Sequence, residues 1–327
     1  MRVIEVTRFG APDVLTPAIA PAPAAGPGEV VIDVAAADVL FLDAMIRAGR
    51  AAAFFPVRPP YVPGGGVAGT VGAAGDEAGP AWLGRRVIAR TGAAGGTGGY
   101  AERAAVPAGQ VIPVPDGVDL QDAAAVLHDG ATALALTERT GIGQGEQMLV
   151  LGAAGGLGLL LVQLGRAAGA RVIAAARGRA KLDAAARLGA AAVVDYSEPG
   201  WTKRVLDLTG GAGPQVVFDG VGGPLGLAAF AITAAGGRFS AHGAPAGGVA
   251  PIDPAAAAGR QVSVRGIEQA QLSPAEHAVR AARALAEVAA GRLRPVIGQT
   301  FPLDRAAAAH AALETRTAIG KTLLTVP

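Results

Sequence analysis

The chain has 327 residues, 51% hydrophobic and 17% charged, a balance that excludes a disordered chain, which combines low hydrophobicity with high net charge. Lys and Arg number 28 against 26 Asp and Glu, a formal charge of +2, too small for a nucleic-acid footprint. Cysteine is absent, which excludes disulfides, thiolate zinc sites, iron–sulfur clusters and a cysteine nucleophile.

At roughly 150 residues per domain the length predicts about two domains. The chain opens on an alternating, charged strand, Met1-Arg-Val-Ile-Glu-Val, rather than a signal peptide. Short strands follow between glycine–proline turns: Val30–Val34, Gly69–Gly72, Arg86–Ala89, Tyr100–Pro107 and Val111–Val114. This spacing predicts a β-rich unit. The pattern changes near Leu120. An alanine-rich helix is expected over Asp122–Arg139, then a strand at Gln147–Leu151, a helix at Gly158–Ala168, a strand at Arg171–Ala176 and a helix at Lys181–Leu188. Ala191–Asp195, Gln215–Asp219 and Gly237–Ala241 read as further strands. Short apolar runs without alternation fit parallel strands buried on both faces, and their spacing by helices predicts a doubly wound sheet. The tail returns to mixed character, with helices at Pro274–Ala290 and Asp304–Leu313 and a closing strand at Lys321–Val326. No run reaches the roughly 18 apolar residues of a membrane span. The expectation is a cytoplasmic protein that binds neither membrane nor nucleic acid.

The strongest local signal is Gly152-Ala-Ala-Gly155-Gly156-Leu157-Gly158. It follows one predicted strand and opens a helix, with a second strand at βαβ spacing. Glycines there permit a tight turn, let backbone approach a pyrophosphate and let helix pack on strand, while the helix N-terminus offers free N–H donors. This predicts a dinucleotide site. A ribose-binding acid is expected at the end of the second strand in an NAD site. That stretch instead reads Ala174-Ala-Ala-Arg177-Gly-Arg179-Ala-Lys181. Cations there suit a 2′-phosphate, and NADPH is the expected cofactor.

Several motifs then stand in order along the chain: Asp43-Ala-Met-Ile-Arg47-Ala-Gly, Val62-Pro-Gly-Gly-Gly-Val-Ala-Gly69, Gly98-Gly-Tyr100-Ala-Glu102 and Gly130-Ala-Thr132-Ala. The phosphate loop, Phe218-Asp219-Gly-Val221-Gly-Gly and Ile319-Gly320-Lys321 complete the series. Together they resemble, essentially end to end, the zinc-independent quinone oxidoreductases of the medium-chain dehydrogenase/reductase superfamily. The resemblance implies an α/β fold: a GroES-like β-rich catalytic domain (1–122, with a C-terminal return at 266–327) around an inserted Rossmann domain (123–265), NADPH in the cleft between them, and a homodimer. By motif position, Lys181 and Tyr196 resemble the pair flanking the 2′-phosphate, and Arg316 an arginine near the cofactor phosphates. Thr132 and the backbone at Gly243 resemble groups near the nicotinamide. The zinc constellations of the superfamily need cysteines this chain lacks, so no metal is expected.

Two positions depart from the family. Its usual Asn, three residues before Asp43, is Leu40, and its usual Glu in the Pro-Gly-x-Glu motif is Gly66. Leu40, Gly66 and Tyr61 are the expected substrate-pocket residues, in a pocket more apolar than the family's. Tyr61 and His128 are the candidate proton donors. Tyr61 can equally pack on its flanking prolines, and His128 can equally be a partly buried structural histidine. Asp43 and Arg47 stand four apart and can pair on one helical turn. The glycine stretch Gly92–Gly99 reads as a cleft loop, and Trp82 and Trp201 as packing residues. Gln261–Gly266 reads as a strand able to extend a sheet across two subunits. The expected activity is NADPH-dependent hydride transfer to a quinone or another α,β-unsaturated carbonyl. The alternatives are a biosynthetic enone or 2-enoyl reductase, or a non-catalytic NADPH-binding protein.

Overall fold

The computed structural model describes residues 1–52, 55–92 and 98–327. The chain divides into two compact units, Met1–His128 with Ala281–Pro327, and Asp129–Arg280.

The first unit starts with an antiparallel pair, β1 (Arg2–Val6) and β2 (Leu15–Ile19). There follow β3 (Glu29–Val39), the short helix α1 (Phe41–Arg47), β4 (Gly66–Ala74), β5 (Arg86–Arg90), β6 (Arg103–Pro107) and β7 (Ile112–Pro113). Helix α2 (Leu120–Thr140) leads into the second unit. There strands and helices alternate: β8 (Gln147–Leu151), α3 (Gly156–Ala167), β9 (Arg171–Ala176), α4 (Arg179–Arg187), β10 (Ala192–Asp195) and α5 (Trp201–Leu208). Then come β11 (Val216–Asp219), α6 (Gly223–Ala231), β12 (Arg238–Ala241), α7 (Pro254–Gly259) and β13 (Ser263–Arg265). Helix α8 (Pro274–Ala289) brings the chain back, and β14 (Ile297–Pro302), α9 (Ala306–Glu314) and β15 (Lys321–Thr325) complete the first unit.

The first unit is built on a seven-stranded sheet in the order β14-β15-β3-β4-β5-β7, with β6 also pairing β3. Strand β3 is its spine. Valine and isoleucine at Val30, Ile32, Val34 and Val39 bury one side of it against Ile4, Val6 and Val67. Register irregularities between Val31/Ile32 and Val34/Ala36 curve the β3–β4 pair, as bulges do. Beyond them the pairing is regular: Ala36 faces Ala68 and Ala37 faces Val67. Asp38 therefore stands opposite Gly66.

The second unit carries a six-stranded parallel sheet in the order β10-β9-β8-β11-β12-β13. Leu149, Leu151, Ile173, Val217 and Phe239 fill its core with Phe230. The apolar runs read from the sequence are these strands, buried on both faces. The order reverses direction at β8 and β11, the strands that border the glycine loop.

The chain passes between the compact units at 128/129 and 280/281, where domains were expected to meet at 122/123 and 265/266. Each lies inside an uninterrupted helix, α2 or α8, so no breaker residue marks it. Helices α5, α6 and α7 and strand β14 were not expected; the first three are only six to nine residues long, too short to show a period. Of the stretch Gly92–Gly99, residues 93–97 lie outside the described residues.

Candidate active site

The glycine loop turns at Gly152, whose φ of +70° only glycine adopts without strain. Gly155 caps α3 with extended backbone. Intrahelical bonding begins with Leu159 N–H to the Gly155 carbonyl at 2.9 Å. The N–H groups of Gly156, Leu157 and Gly158 thus lie in the helix's first turn, where a helix has no partners of its own to offer. The glycines do different work. A Cβ on Gly158 would sit 2.4 Å from the Gly152 carbonyl oxygen, so this glycine lets helix pack on loop. A Cβ on Gly155 meets only that same oxygen at 3.6 Å, an ordinary contact. The loop therefore keeps room for a ligand at Gly155 and none at Gly158.

Arg177 and Lys181 stand at the same end of the sheet. Val194 pairs with Ala175 and Asp195 with Ala176, so Tyr196 and Arg177 leave neighbouring strands side by side. Lys181 lies in the first turn of α4. Burial, and then the Arg177 charge, hold the Lys181 ammonium below the usual lysine range. Asp195 also reaches this corner, accepting from Gly178 N–H at 2.7 Å and Ser197 N–H at 2.9 Å. Burial pushes its carboxyl up, but these bonds and Arg177 outweigh it and hold it low. The acid missing from the end of β9 is thus supplied by β10, as a carboxylate already engaged with backbone.

At the ends of β11 and β12 two glycines touch. A Cβ on Gly243 would lie 2.1 Å from the Gly220 carbonyl carbon. Asp219 builds the turn, its Oδ1 accepting from Val221 N–H at 2.9 Å and Gly222 N–H at 2.8 Å. Next to Gly243, His242 is buried with Nδ1 2.9 Å from Ser240 Oγ. Burial pulls its imidazole to about 4, so it is neutral at pH 7. Thr132 is half-buried on α2. The loop, the cations, Tyr196 and Gly243 all gather at the carboxyl ends of parallel strands, where doubly wound sheets bind ligands.

The first unit holds a buried polar cluster. His128 Nδ1 donates to Asp38 Oδ2 at 2.8 Å, and Lys321 Nζ lies 3.5 Å from the same oxygen. Asp38 is 0% exposed. Burial pushes its carboxyl up, but His128 and Lys321 outweigh it and hold it below the usual aspartate range. Gly66 is what gives the imidazole room. A Cβ there would sit 2.4 Å from Leu127 Cδ2, 2.7 Å from His128 Cε1 and 3.1 Å from Asp38 Oδ1. The cluster's carboxylate, Asp38, stands on the strand facing Gly66.

The expected Asp43–Arg47 pair does not form. Asp43 accepts from Leu40 N–H at 2.9 Å and from the Tyr100 hydroxyl at 3.4 Å. Burial, then the Asp38 charge, push its carboxyl up to about 8, so it is neutral at pH 7 and has no charge to offer Arg47. Arg47, 1% exposed, instead pairs with Glu314. The Tyr100 hydroxyl is also 3.0 Å from His310 Nε2. Burial, then Arg47, pull His310 to about 3 and keep it neutral.

Leu40 is the N-cap of α1 and provides no side-chain acceptor. Tyr61 is half-buried with its ring against the first unit's core. Its hydroxyl has no hydrogen-bond partner among the described residues, and burial, then Asp43, push it up to about 12. Arg316 is exposed in the turn after α9, at a left-handed φ of 56°. Trp201 is buried and Trp82 half-buried under Arg85, 5.8 Å from the ring centroid.

Sequence reasoning missed Asp38, Lys321, Tyr100 and His310 as one network. The one available signal was Asp38 itself, an acid in the otherwise apolar end of β3. Among the described residues no group of three or more His, Asp or Glu is placed to hold a metal ion, and no helix is long and apolar enough to cross a membrane.

Residues 26–116 match the alcohol dehydrogenase GroES-like domain and residues 156–286 the zinc-binding dehydrogenase family. A probable quinone oxidoreductase of Schizosaccharomyces pombe is 32% identical over 98% of this chain and 96% of its own. The 2-haloacrylate reductase of a Burkholderia species is 30% identical over 91% of each. A mycobacterial protein solved in complex with NADPH superposes with a TM-score of 0.89 at 34% identity, over 99% of this chain and 100% of that one. The chain belongs to the quinone oxidoreductase family of the medium-chain dehydrogenase/reductase superfamily.

Proposed function

We propose that this protein is an NADPH-dependent reductase that transfers hydride to a conjugated carbonyl acceptor, a quinone or an enone. The observation that carries the reading is the strand-end cluster: a glycine loop open at Gly155, with Arg177, Lys181 and Tyr196 gathered where a 2′-phosphate would lie. NADPH, when bound, supplies the hydride. The first-turn N–H groups of Gly156, Leu157 and Gly158 hold the pyrophosphate beside Gly152 and Gly155. Arg177 and Lys181 bind the 2′-phosphate by charge, and Tyr196 flanks it. Thr132 and the Gly243 backbone position the reactive ring, and Arg316 serves the cofactor phosphates. Leu40, Tyr61 and Gly66 line the acceptor side.

Of the two candidate proton donors the geometry favours His128. Its Nδ1 is held 2.8 Å from Asp38 Oδ2, which orients the imidazole. Tyr61 is raised to about 12, a weak acid, and we assign it to the pocket wall. No metal step is needed, because positioning and a proton donor suffice for the transfer. We further propose a cytoplasmic homodimer formed through β13, the exposed edge of the parallel sheet.

The test is NADPH oxidation followed at 340 nm against benzoquinones, naphthoquinones, enones and enoyl thioesters, with NADH as control. Turnover of one acceptor class with NADPH preferred is the expected result. Tight NADPH binding without turnover of any acceptor would leave a binding protein instead.

A further inference from the structure

We propose that the second unit holds an oxyanion site apart from the nucleotide cluster, which binds phosphate or a phosphate monoester between the end of α2 and the strands β12 and β13. The inference does not depend on the reductase reading.

The site is a cavity of about 180 Å³ lined by Thr140, Arg238, Phe239, Ser263 and Arg265. That is below the roughly 300–1,000 Å³ of pockets that take drug-sized ligands, so its occupant is small. All five residues belong to the second unit. Phe239 is the one apolar member, and the other four carry two guanidinium groups and two hydroxyls. Arg238 pairs with Ser263, and Ser240 with Arg265. Side chains alternate along a strand, so Arg238, Ser263 and Arg265 share one face of the sheet. The nucleotide groups gather at the carboxyl ends of the strands, whereas Arg238 and Ser263 are the first residues of β12 and β13.

Two observations point to an anion there. The first is Thr140, the last residue of α2, 8% exposed with a hydroxyl that has no hydrogen-bond partner among the described residues. Thr137, Thr209 and Thr233 instead return their hydroxyls to the carbonyl four residues earlier, at 2.9–3.0 Å. A buried hydroxyl left unbonded is costly, and an acceptor in the cavity relieves it. The second is charge. Arg238 and Arg265 stand on adjacent strands, two positions out of register, within reach of each other's long side chains. One carboxylate compensates: Glu146, whose Oε1 accepts from Arg238 Nη2 and whose Oε2 accepts from Gly143 N–H at 2.6 Å. Arg265 is exposed and pairs with no carboxylate among the described residues. A phosphate offers the missing charge and several acceptor oxygens, and guanidinium forks match it bidentately. An edge-strand arginine that only blocks aggregation needs neither a second arginine beside it nor a buried unbonded hydroxyl. Pairing of β13 with a second copy engages backbone groups in the plane of the sheet, whereas these side chains stand on its face, so the site and that interface are compatible.

The test is calorimetric titration of inorganic phosphate into the full-length protein saturated with NADPH, at constant ionic strength held with chloride. NADPH keeps phosphate from the glycine loop. One saturable site per chain is expected, with Tm rising as the site fills. Arg265→Gln should weaken phosphate binding about tenfold and Thr140→Val about threefold. Arg204→Gln, which removes an exposed arginine of α5, should leave it unchanged. Should Thr140→Val not fold, Arg265→Gln at its exposed position decides alone. Glycerol 3-phosphate in the same titration separates the sources: tighter binding than inorganic phosphate assigns the site to phosphorylated metabolites, weaker binding to free phosphate. A wild type without saturable binding would overturn the proposal, as would unchanged binding in either variant or an equal loss in Arg204→Gln. Were NADPH itself not to bind, the cofactor reading would fall. The Arg265→Gln and Thr140→Val constants would still decide this proposal, because neither residue lies in the glycine loop.

Discussion

Replacing Lys181 by alanine isolates the contribution of the 2′-phosphate to cofactor choice. In the free protein Lys181 is half-buried, and burial and Arg177 both hold its proton less tightly than usual. A bound phosphate dianion reverses that, since it offsets the repulsion from Arg177 and accepts a charge-assisted hydrogen bond. Such bonds contribute about 1.5–3 kcal/mol. With Lys181 half-exposed the lower end applies, so the NADPH Kd should rise roughly tenfold. Arg177 is exposed, and at the roughly 0.5–1 kcal/mol of a solvated pair its removal should cost about two- to fivefold. The double variant should lose more than the sum, because each single removal is partly offset by relief of the repulsion between Arg177 and Lys181. NADH lacks the phosphate and should bind all three variants as it binds the wild type. Nucleotide fluorescence titration at pH 7.5, where the phosphate carries most of its second charge, gives both constants. Parallel losses for NADH and NADPH would show that these cations act on something common to both, and the 2′-phosphate assignment would be wrong.

Three further outcomes follow from the geometry. Gly155→Val should fold, since its Cβ has ordinary contact with the Gly152 oxygen at 3.6 Å, yet bind NADPH far more weakly; Gly158→Ala, with a Cβ 2.4 Å from that oxygen, should lower Tm by an overpacking cost of about 1–3 kcal/mol, and a Gly158→Ala protein as stable as wild type would contradict the loop packing. The folded Asp43 carboxyl, up at about 8 against a reference of 3.8, keeps its proton where the unfolded chain loses it, so its share of stability is present at low pH and is lost as pH rises through that window. Tm should therefore fall more from pH 4 to pH 8.5 in wild type than in Asp43→Asn, and equal slopes would rule this out. Val264→Asp, a charge on the exposed β13 edge where Val264 is 37% accessible, should convert a dimer to monomer by light scattering; an unchanged mass would move the interface elsewhere.

What the sequence makes legible is local. The glycine loop, its flanking strands and the cations after β9 lie within about one βαβ unit, and their order along the chain is their order in space. Thr132, Tyr196 and Gly243 were placed by motif, and the structure sets Tyr196 and Gly243 at the same strand ends as the loop. The acceptor side was read less well, because its bonds span the chain. His128 reaches Asp38 across 90 positions, and Arg47 passes over its helical neighbour Asp43 to meet Glu314, 267 positions away. The i,i+4 rule assumes two charges, and burial had removed one of them. The unit boundaries hid for a related reason, since a helix can belong to two bodies without any change of composition to show it.

The glycine at position 66 also bears on how this chain can vary. Any side chain there starts inside the space of Leu127 and His128 and within 3.1 Å of Asp38 Oδ1. Introducing a glutamate there by one substitution would thus bring steric overlap and a second carboxylate beside the first. The reverse path needs position 38 emptied of charge and position 128 made small before position 66 can grow. Each of those steps alone disturbs the contact between Asp38 and Lys321. Positions 38, 66, 128 and 321 therefore form an epistatic set: the tolerated residues at each depend on the other three, and substitution libraries that vary them singly should find all four intolerant while joint libraries recover functional combinations.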